Sequence, residues 1–291
     1  MTFATKTLSK RIAVIFDFDD TLVPDTFDIL IESLGLDAHT FREERVKPLI
    51  ESGWDKIPAR FYSLIAESKQ RNNPEEKITQ EYLAKFGQEL EPFPGVTEMF
   101  SDLQKRADEL VPGIEVEFYI ITSGFLEIAR NSKIASHFTA MWGCDFSYHE
   151  TGEVEFLKKM ISYTEKTRYL YQISRGTKQA KKTEENLLFV YQDVPEEELY
   201  IPFSQMIYLG DGTSDLPCFA VMNQEQGMAL GVYKGDSVEE WKDDIKVSRS
   251  QRIANLAPAD YREGSELRTS LILAVEAICK KIALYQLSVN E

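Results

Sequence analysis

A chain of 291 residues with 43% hydrophobic and 28% charged content has the make-up of a soluble globular protein, long enough for two domains or one domain with an insertion. Its 33 basic and 48 acidic side chains leave a net charge of −15. This disfavours nucleic acid and anionic lipid as partners and requires any anion site to bring its own positive charge or a metal. No apolar run nears the roughly 18–20 residues that span a membrane.

The opening MTFATKTLSKR leads into only five apolar residues, too few for a secretory signal, so a cytoplasmic protein is expected. Cys144, Cys218 and Cys279 are widely separated with no CxxC pair, which reads as incidental reduced thiols. Residues 12–16, IAVIF, predict a short buried strand that runs directly into Asp17, Asp19 and Asp20. Carboxylates this close repel one another, and desolvation adds to the cost, so a positive group is expected among them.

After Pro24 the periodicity becomes helical. Phe27, Leu30, Ile31 and Leu34 form one apolar stripe that stops at Gly35. A second helix starts at Asp55 and carries Ile57, Phe61, Leu64 and Ile65; a third is read with Asn73 as its cap, Pro74 at its first position, and Ile78, Tyr82, Leu83 and Phe86 inward. Nothing between about 24 and 90 resembles a strand. PFPGV at 92–96 introduces another helix through Val96, Met99, Phe100 and Leu103, closed by Pro112-Gly113.

VEFYIITSG (116–124) predicts a second strand ending in small polar residues, and DFSYHETGEVEF a hairpin. A short helix follows in TEKTRYLYQISRG, closed by Gly176, and KQAKKTEEN reads as a solvated loop or helix end. QMIYLGDGTSD repeats the pattern of apolar strand then acids, MALGVY is one more strand, and an amphipathic helix runs from Ser265. Strands that are continuous apolar runs, alternating with helices, argue for a parallel α/β sheet, whose chemistry collects beyond the carboxyl ends of the strands.

Three strand ends carry polar clusters: DFDD, TSG and GDGTSD. Brought together, Asp17, Asp19, Asp211 and Asp215 form an all-oxygen, carboxylate-rich site suited to Mg²⁺. One carboxylate could attack phosphorus and another, two residues on, could exchange protons with the leaving group and water. Ser123 and Gly124 would offer a hydroxyl and an amide to a phosphoryl group. A lysine should complete the charge balance. Lys166 stands out because a cation in the first turn opposes the helix dipole; Lys158 and Lys159 are the alternatives.

These motifs resemble the haloacid dehalogenase-like (HAD) superfamily, and the SGF after the second strand resembles its phosphoserine-phosphatase branch. The resemblance rests on Asp17-Phe18-Asp19-Asp20-Thr21-Leu22, Ser123, Lys166 and Gly210-Asp211-Gly212-Thr213-Ser214-Asp215. It implies a Rossmann-like parallel sheet flanked by helices, formed by residues 1–22 and 112–291, with an inserted all-helical cap at 23–111. It also implies Asp17 as nucleophile and Asp19 as general acid/base. Mg²⁺ would be held by Asp17, the Asp19 carbonyl and Asp211, with Asp215 bound directly or behind them. Ser123, Gly124, Lys166 and Ser214 would hold the phosphoryl group of a small phosphorylated metabolite. Ser214 departs from the Asn or Asp usual there and has a shorter reach. Arg42, Arg45, Lys47, Trp54, Arg60 and Tyr62 are cap candidates for substrate contact. A phosphomutase or phosphotransferase, a phosphonate hydrolase using Lys47 or Lys56, and a catalytically silent regulatory protein are the competing readings.

Overall fold

The computed structural model describes residues 9–176, 194–234 and 253–289. Seven strands form one sheet in the order β4-β3-β2-β1-β5-β6-β7. They are β1 Arg11–Phe16, β2 Glu115–Phe125, β3 Ala140–Tyr148, β4 Val154–Lys159, β5 Met206–Gly210, β6 Met228–Tyr233 and β7 Asn255–Pro258. All neighbours pair in parallel except β3 with β4. This antiparallel edge is the hairpin expected from DFSYHETGEVEF, although β3 begins earlier, at Ala140. β1 lies at the centre because residues 12 to 16 are apolar on both faces, and all five are fully buried.

The helices are α1 Thr26–Ser33, α2 Ala38–Phe41, α3 Lys47–Glu51, α4 Lys56–Gln70, α5 Gln80–Glu89, α6 Val96–Leu110, α7 Leu126–Asn131, α8 Glu165–Arg175, α9 Leu216–Gln224 and α10 Glu266–Val289. No strand occurs between residues 24 and 90. α6 packs beside β2 and α10, joined to α10 by ion pairs of Arg106 with Glu276 and Arg268 with Asp102.

One predicted helix starts elsewhere. Asn73 caps only a single 3₁₀ turn, Pro74–Glu76; α5 begins at Gln80, where the Thr79 hydroxyl accepts from the Tyr82 amide. Lys77 and Thr79 are extended between them: the Ser68 hydroxyl takes the Ile78 amide, and the Ile78 carbonyl accepts from Val154 in the hairpin. Tertiary bonding outweighs local propensity here. A π-helical turn at Arg42–Val46 and strand β7 have no counterpart in the sequence reading. KQAKKTEEN lies outside the described residues. Among the described residues, no helix is long and apolar enough to cross a membrane.

Candidate active site

The carboxyl ends of β1, β2 and β5 lie side by side, and each delivers one of the polar clusters. Past β1, Asp17 and Asp19 line a common cavity while Phe18 between them is fully buried in the core. Asp20 then takes φ +52°, a left-handed turn that aspartate tolerates, and the chain leaves for α1. The start of α1 holds Asp19 in place: its Oδ1 accepts from the Thr26 amide at 2.8 Å and the Thr26 hydroxyl at 2.5 Å.

Lys166, in the first turn of α8, is completely buried. Its Nζ lies 2.6 Å from Asp17 Oδ2, 2.8 Å from Asp215 Oδ1 and 3.4 Å from Ser214 Oγ. Asp215 Oδ1 also accepts from the Tyr208 hydroxyl at 2.6 Å, and its Oδ2 from Ser214 at 3.3 Å and the Gly212 amide at 3.4 Å. Asp215 is thereby fixed by protein donors on both oxygens. Two glycines make the crowding feasible: a Cβ at Gly210 would collide with the Asp215 carboxyl, and one at Gly124 with that of Asp19.

Asp17, Asp211 and Asp215 can bring one carboxylate oxygen each to within 4.8 Å of one another. Asp211 has no hydrogen bond or ion pair among the described residues. With Asp19 and Asp20 beside them, five carboxylates face the single buried ammonium of Lys166, with Lys234 at 3.4 Å from Asp20 outside. An all-oxygen set with surplus negative charge fits a hard divalent cation. Asp19 turns one carboxylate oxygen to Thr26, while the other lies 3.4 Å from the Thr122 hydroxyl.

Ser123 and Gly124, at the end of β2, line the same cavity. The Ser123 hydroxyl is buried without a hydrogen-bond partner, a donor available to a ligand. The Gly124 amide instead donates to Thr122 Oγ1 at 2.8 Å, and Ser214 reaches Asp17 Oδ2 at 3.5 Å. Lys158 stands apart, paired with Asp145 at 3.1 Å and half exposed. Of the cap candidates only Arg60 lines the cavity, together with Phe27, Lys56, Ile57, Phe61 and Tyr163; Arg42 lies behind it, bound to Asp25 and Asp28. The cavity holds about 170 Å³ and opens to solvent. Tyr208, Thr26 and Tyr163 were not singled out by sequence, where they read as ordinary strand, helix and loop residues.

Burial raises the Asp17 carboxyl to about 7 against the pull of Lys166, with Asp215 and Asp19 adding to the rise. Burial and the Asp25 charge raise Asp19 to about 6, opposed by its bonds from Thr26. Asp211 is lifted well above its ordinary value by burial and by the charges of Asp215 and Asp17. These folded-state carboxyls retain protons that an unfolded chain, titrating near 3.8, has already released. Without a cation, stability therefore falls as pH rises from about 4 through 7. Asp25, lowered by Arg60 and Arg42 despite its burial, titrates below this window, and Lys166, raised by Asp17 and Asp215 despite its burial, above it. In chelator the melting temperature should be lower at pH 8 than at pH 5, by an amount equivalent to a few kcal/mol on the order given by the shifts. A divalent cation should restore more at pH 8 than at pH 5. A chelated protein that gains stability over this range would contradict the geometry.

No protein-family model matches the chain. An uncharacterized protein of Borreliella burgdorferi is 26% identical over 294 residues, aligning 93% of this chain and 98% of that protein. Among solved structures, a HAD-family hydrolase of Salmonella enterica serovar Typhi aligns with 86% of this chain and 67% of its own, at TM-score 0.54 and 13% identity. A probable phosphoserine phosphatase of Vibrio cholerae aligns with 95% and 68%, at TM-score 0.54 and 13% identity. A phosphoserine phosphatase described as a phospho-aspartyl intermediate analogue aligns with 90% and 98%, at TM-score 0.51 and 16% identity. The chain thus has the haloacid dehalogenase-like fold, with the expected parallel sheet and flanking helices.

Proposed function

We propose that this protein is a Mg²⁺-dependent phosphohydrolase that acts on a small phosphomonoester through a phosphorylated Asp17. The observation that carries this reading is the convergence of Asp17, Asp211, Asp215 and Lys166, from separate segments, into one buried cluster beside Asp19. The fold shared with phosphatases supports it.

In this reading a carboxylate oxygen of Asp17 attacks phosphorus. The bond from phosphorus to the leaving oxygen breaks as Asp19 gives that oxygen its proton, a role suited to a carboxyl raised to about 6. Asp19, now anionic, then takes a proton from water. The water oxygen attacks phosphorus, the bond to Asp17 breaks, and inorganic phosphate leaves with the Asp17 carboxylate restored. Lys166 and the free Ser123 hydroxyl hold phosphoryl oxygens, and Ser214 reaches the same side. The Gly124 amide could join only by releasing Thr122; the larger service of this glycine is the space it leaves for Asp19.

Mg²⁺ held by Asp17, Asp211 and the Asp19 carbonyl, with Asp215 bracing the cluster through Lys166, would supply positive charge against the phosphoryl oxygens and lower the Asp17 pKa. Residues 23–111 serve as the cap over a core of residues 1–22 and 112–291. α1 and α4 supply the wall that excludes bulk water, through Phe27, Ile57 and Phe61.

Hydrolysis of p-nitrophenyl phosphate tests this reading. Turnover should require Mg²⁺ and stop in EDTA, and Asp19→Asn should lose about 10²–10⁴-fold in kcat. Turnover indifferent to chelator, or to Asp19→Asn, would refute it.

A further inference from the structure

Lys166 and Asp215, the ion pair beside Asp17, both stand at helix starts. Lys166 is in the first turn of α8, and Asp215 closes a single 3₁₀ turn, Thr213–Asp215, directly before α9. Each could shift against the sheet that carries Asp17. Within its own turn the Asp215 carboxyl is tied loosely, its Oδ2 receiving the Ser214 hydroxyl at 3.3 Å and the Gly212 amide at 3.4 Å. The close contacts are made by Oδ1, to Lys166 Nζ at 2.8 Å and to the Tyr208 hydroxyl at 2.6 Å.

Tyr208 belongs to the rigid side of this contact. In β5 it pairs with Ile15 of β1, and the same ladder continues with the bond from the Asp17 amide to the Leu209 carbonyl at 2.8 Å. Partners in register share a face, and residues two apart along a strand point the same way, so Tyr208 and Asp17 lie on one side of the sheet. The Tyr208 ring meets Phe219 of α9 edge-on at 5.8 Å. A run of short contacts thus leads from the sheet to Asp17: Tyr208 hydroxyl to Asp215 at 2.6 Å, Asp215 to Lys166 at 2.8 Å, Lys166 to Asp17 Oδ2 at 2.6 Å. Tyr208, Asp215 and Lys166 are wholly buried, where a hydrogen bond to a carboxylate weighs most. Every member of the run except Tyr208 already has a part in the proposed reaction.

We propose that Tyr208 is a positioning residue: its hydroxyl anchors Asp215 to the sheet, and Asp215 in turn keeps the Lys166 ammonium aimed at Asp17 and at the phosphoryl group bound there. The phenol also takes up part of the Asp215 charge, so that the ammonium is not drawn wholly to that carboxylate. When an oxygen of Asp17 bonds to phosphorus, Asp17 loses its charge, and Asp215 is the anionic partner that Lys166 keeps. An Asp215 free to turn would carry the ammonium away from the phosphoryl oxygens at that step. The effect on rate rests on the phosphohydrolase reading; the anchoring itself does not.

Tyr208→Phe keeps the ring against Phe219 and removes only the hydroxyl. With p-nitrophenyl phosphate and Mg²⁺, kcat should fall about 10- to 100-fold, the size expected for one hydrogen bond to a charged group, with KM within about threefold of wild type. Phe219→Leu is the packing control: it loosens the same ring without touching the hydroxyl, so it should lower the melting temperature and leave kcat within about twofold of wild type. In chelator and without substrate, hydrogen exchange at the Lys166 and Asp215 amides, which bond to the Ser162 and Gly212 carbonyls, should quicken in Tyr208→Phe relative to the amides of β1 and β5. A kcat loss below about threefold, an equal loss in Phe219→Leu, or exchange that quickens no more at those two amides than across β1 and β5 would overturn this inference and leave the phosphohydrolase reading standing. A wild-type protein that does not hydrolyse the ester would refute that reading, and the exchange comparison would still decide whether Tyr208 anchors Asp215.

Discussion

Asp17→Asn should fold and yet lose turnover by a factor on the order of 10⁴ or more. The amide keeps the shape of the side chain, and its oxygen can still accept from Lys166, which now lies 2.6 Å from Asp17 Oδ2, at the expense of the bond that Oδ1 accepts from the Phe18 amide at 2.7 Å. What disappears is the anionic oxygen that would bond to phosphorus. Because Asp17 is buried and repelled by Asp215 and Asp19, removing its charge should leave the chelated protein no less stable, and more stable at pH 8 than wild type under the same conditions. Loss of activity together with retained or raised melting temperature separates a chemical role from a structural one. An Asp17→Asn protein with more than about a tenth of wild-type turnover would remove Asp17 as nucleophile.

Lys166→Met should be costly in both stability and rate. Methionine is close in length to lysine, so little empty space results, but Asp17 and Asp215 lose the one ammonium buried between them. Removing one partner from a buried charge set destabilises by about 3–5 kcal/mol. Proton uptake by Asp17, whose carboxyl burial already raises to about 7, would recover part of this at low pH, so the deficit should grow from pH 5 to pH 8 in thermal unfolding. The rate should fall at least 10²-fold, since a donor to the phosphoryl oxygens is lost as well. Lys158→Ala provides the contrast: its half-exposed pair with Asp145 at 3.1 Å should matter by less than about 1 kcal/mol and leave turnover near wild type. The reverse ranking of these two lysines would refute the assignment of Lys166.

These residues were legible in the sequence to different depths, for physical reasons. β1, β5 and the middle of β2 are runs apolar on both faces followed at once by acids or small polar residues, a pattern that marks strand, burial and candidate site together. β7 has only four residues, NLAP, too short to show any period. The first turn of α8 gave a local clue to Lys166, a cation against the helix dipole, but not its partners, which lie 149 and 49 residues away. Tyr208 reads as core because nothing in an apolar strand marks the residue whose hydroxyl will meet Asp215. The start of α5 was misplaced because the competing bonds from Ser68 and the hairpin are tertiary. In the sequence Lys56 enters only as one of two cap lysines for a phosphonate hydrolase; its place beside the cavity depends on how α4 lies against Tyr163.

The most direct test traps the protein during turnover. Enzyme mixed with Mg²⁺ and p-nitrophenyl phosphate, quenched in acid within the turnover time and digested, should yield one peptide heavier by a single phosphoryl group. That peptide should contain Asp17, the adduct should be released by hydroxylamine, and Asp19→Asn, slow to activate water, should accumulate more of it. Phosphate on any other residue, or turnover with no protein-bound phosphoryl at any quench time, would contradict the account.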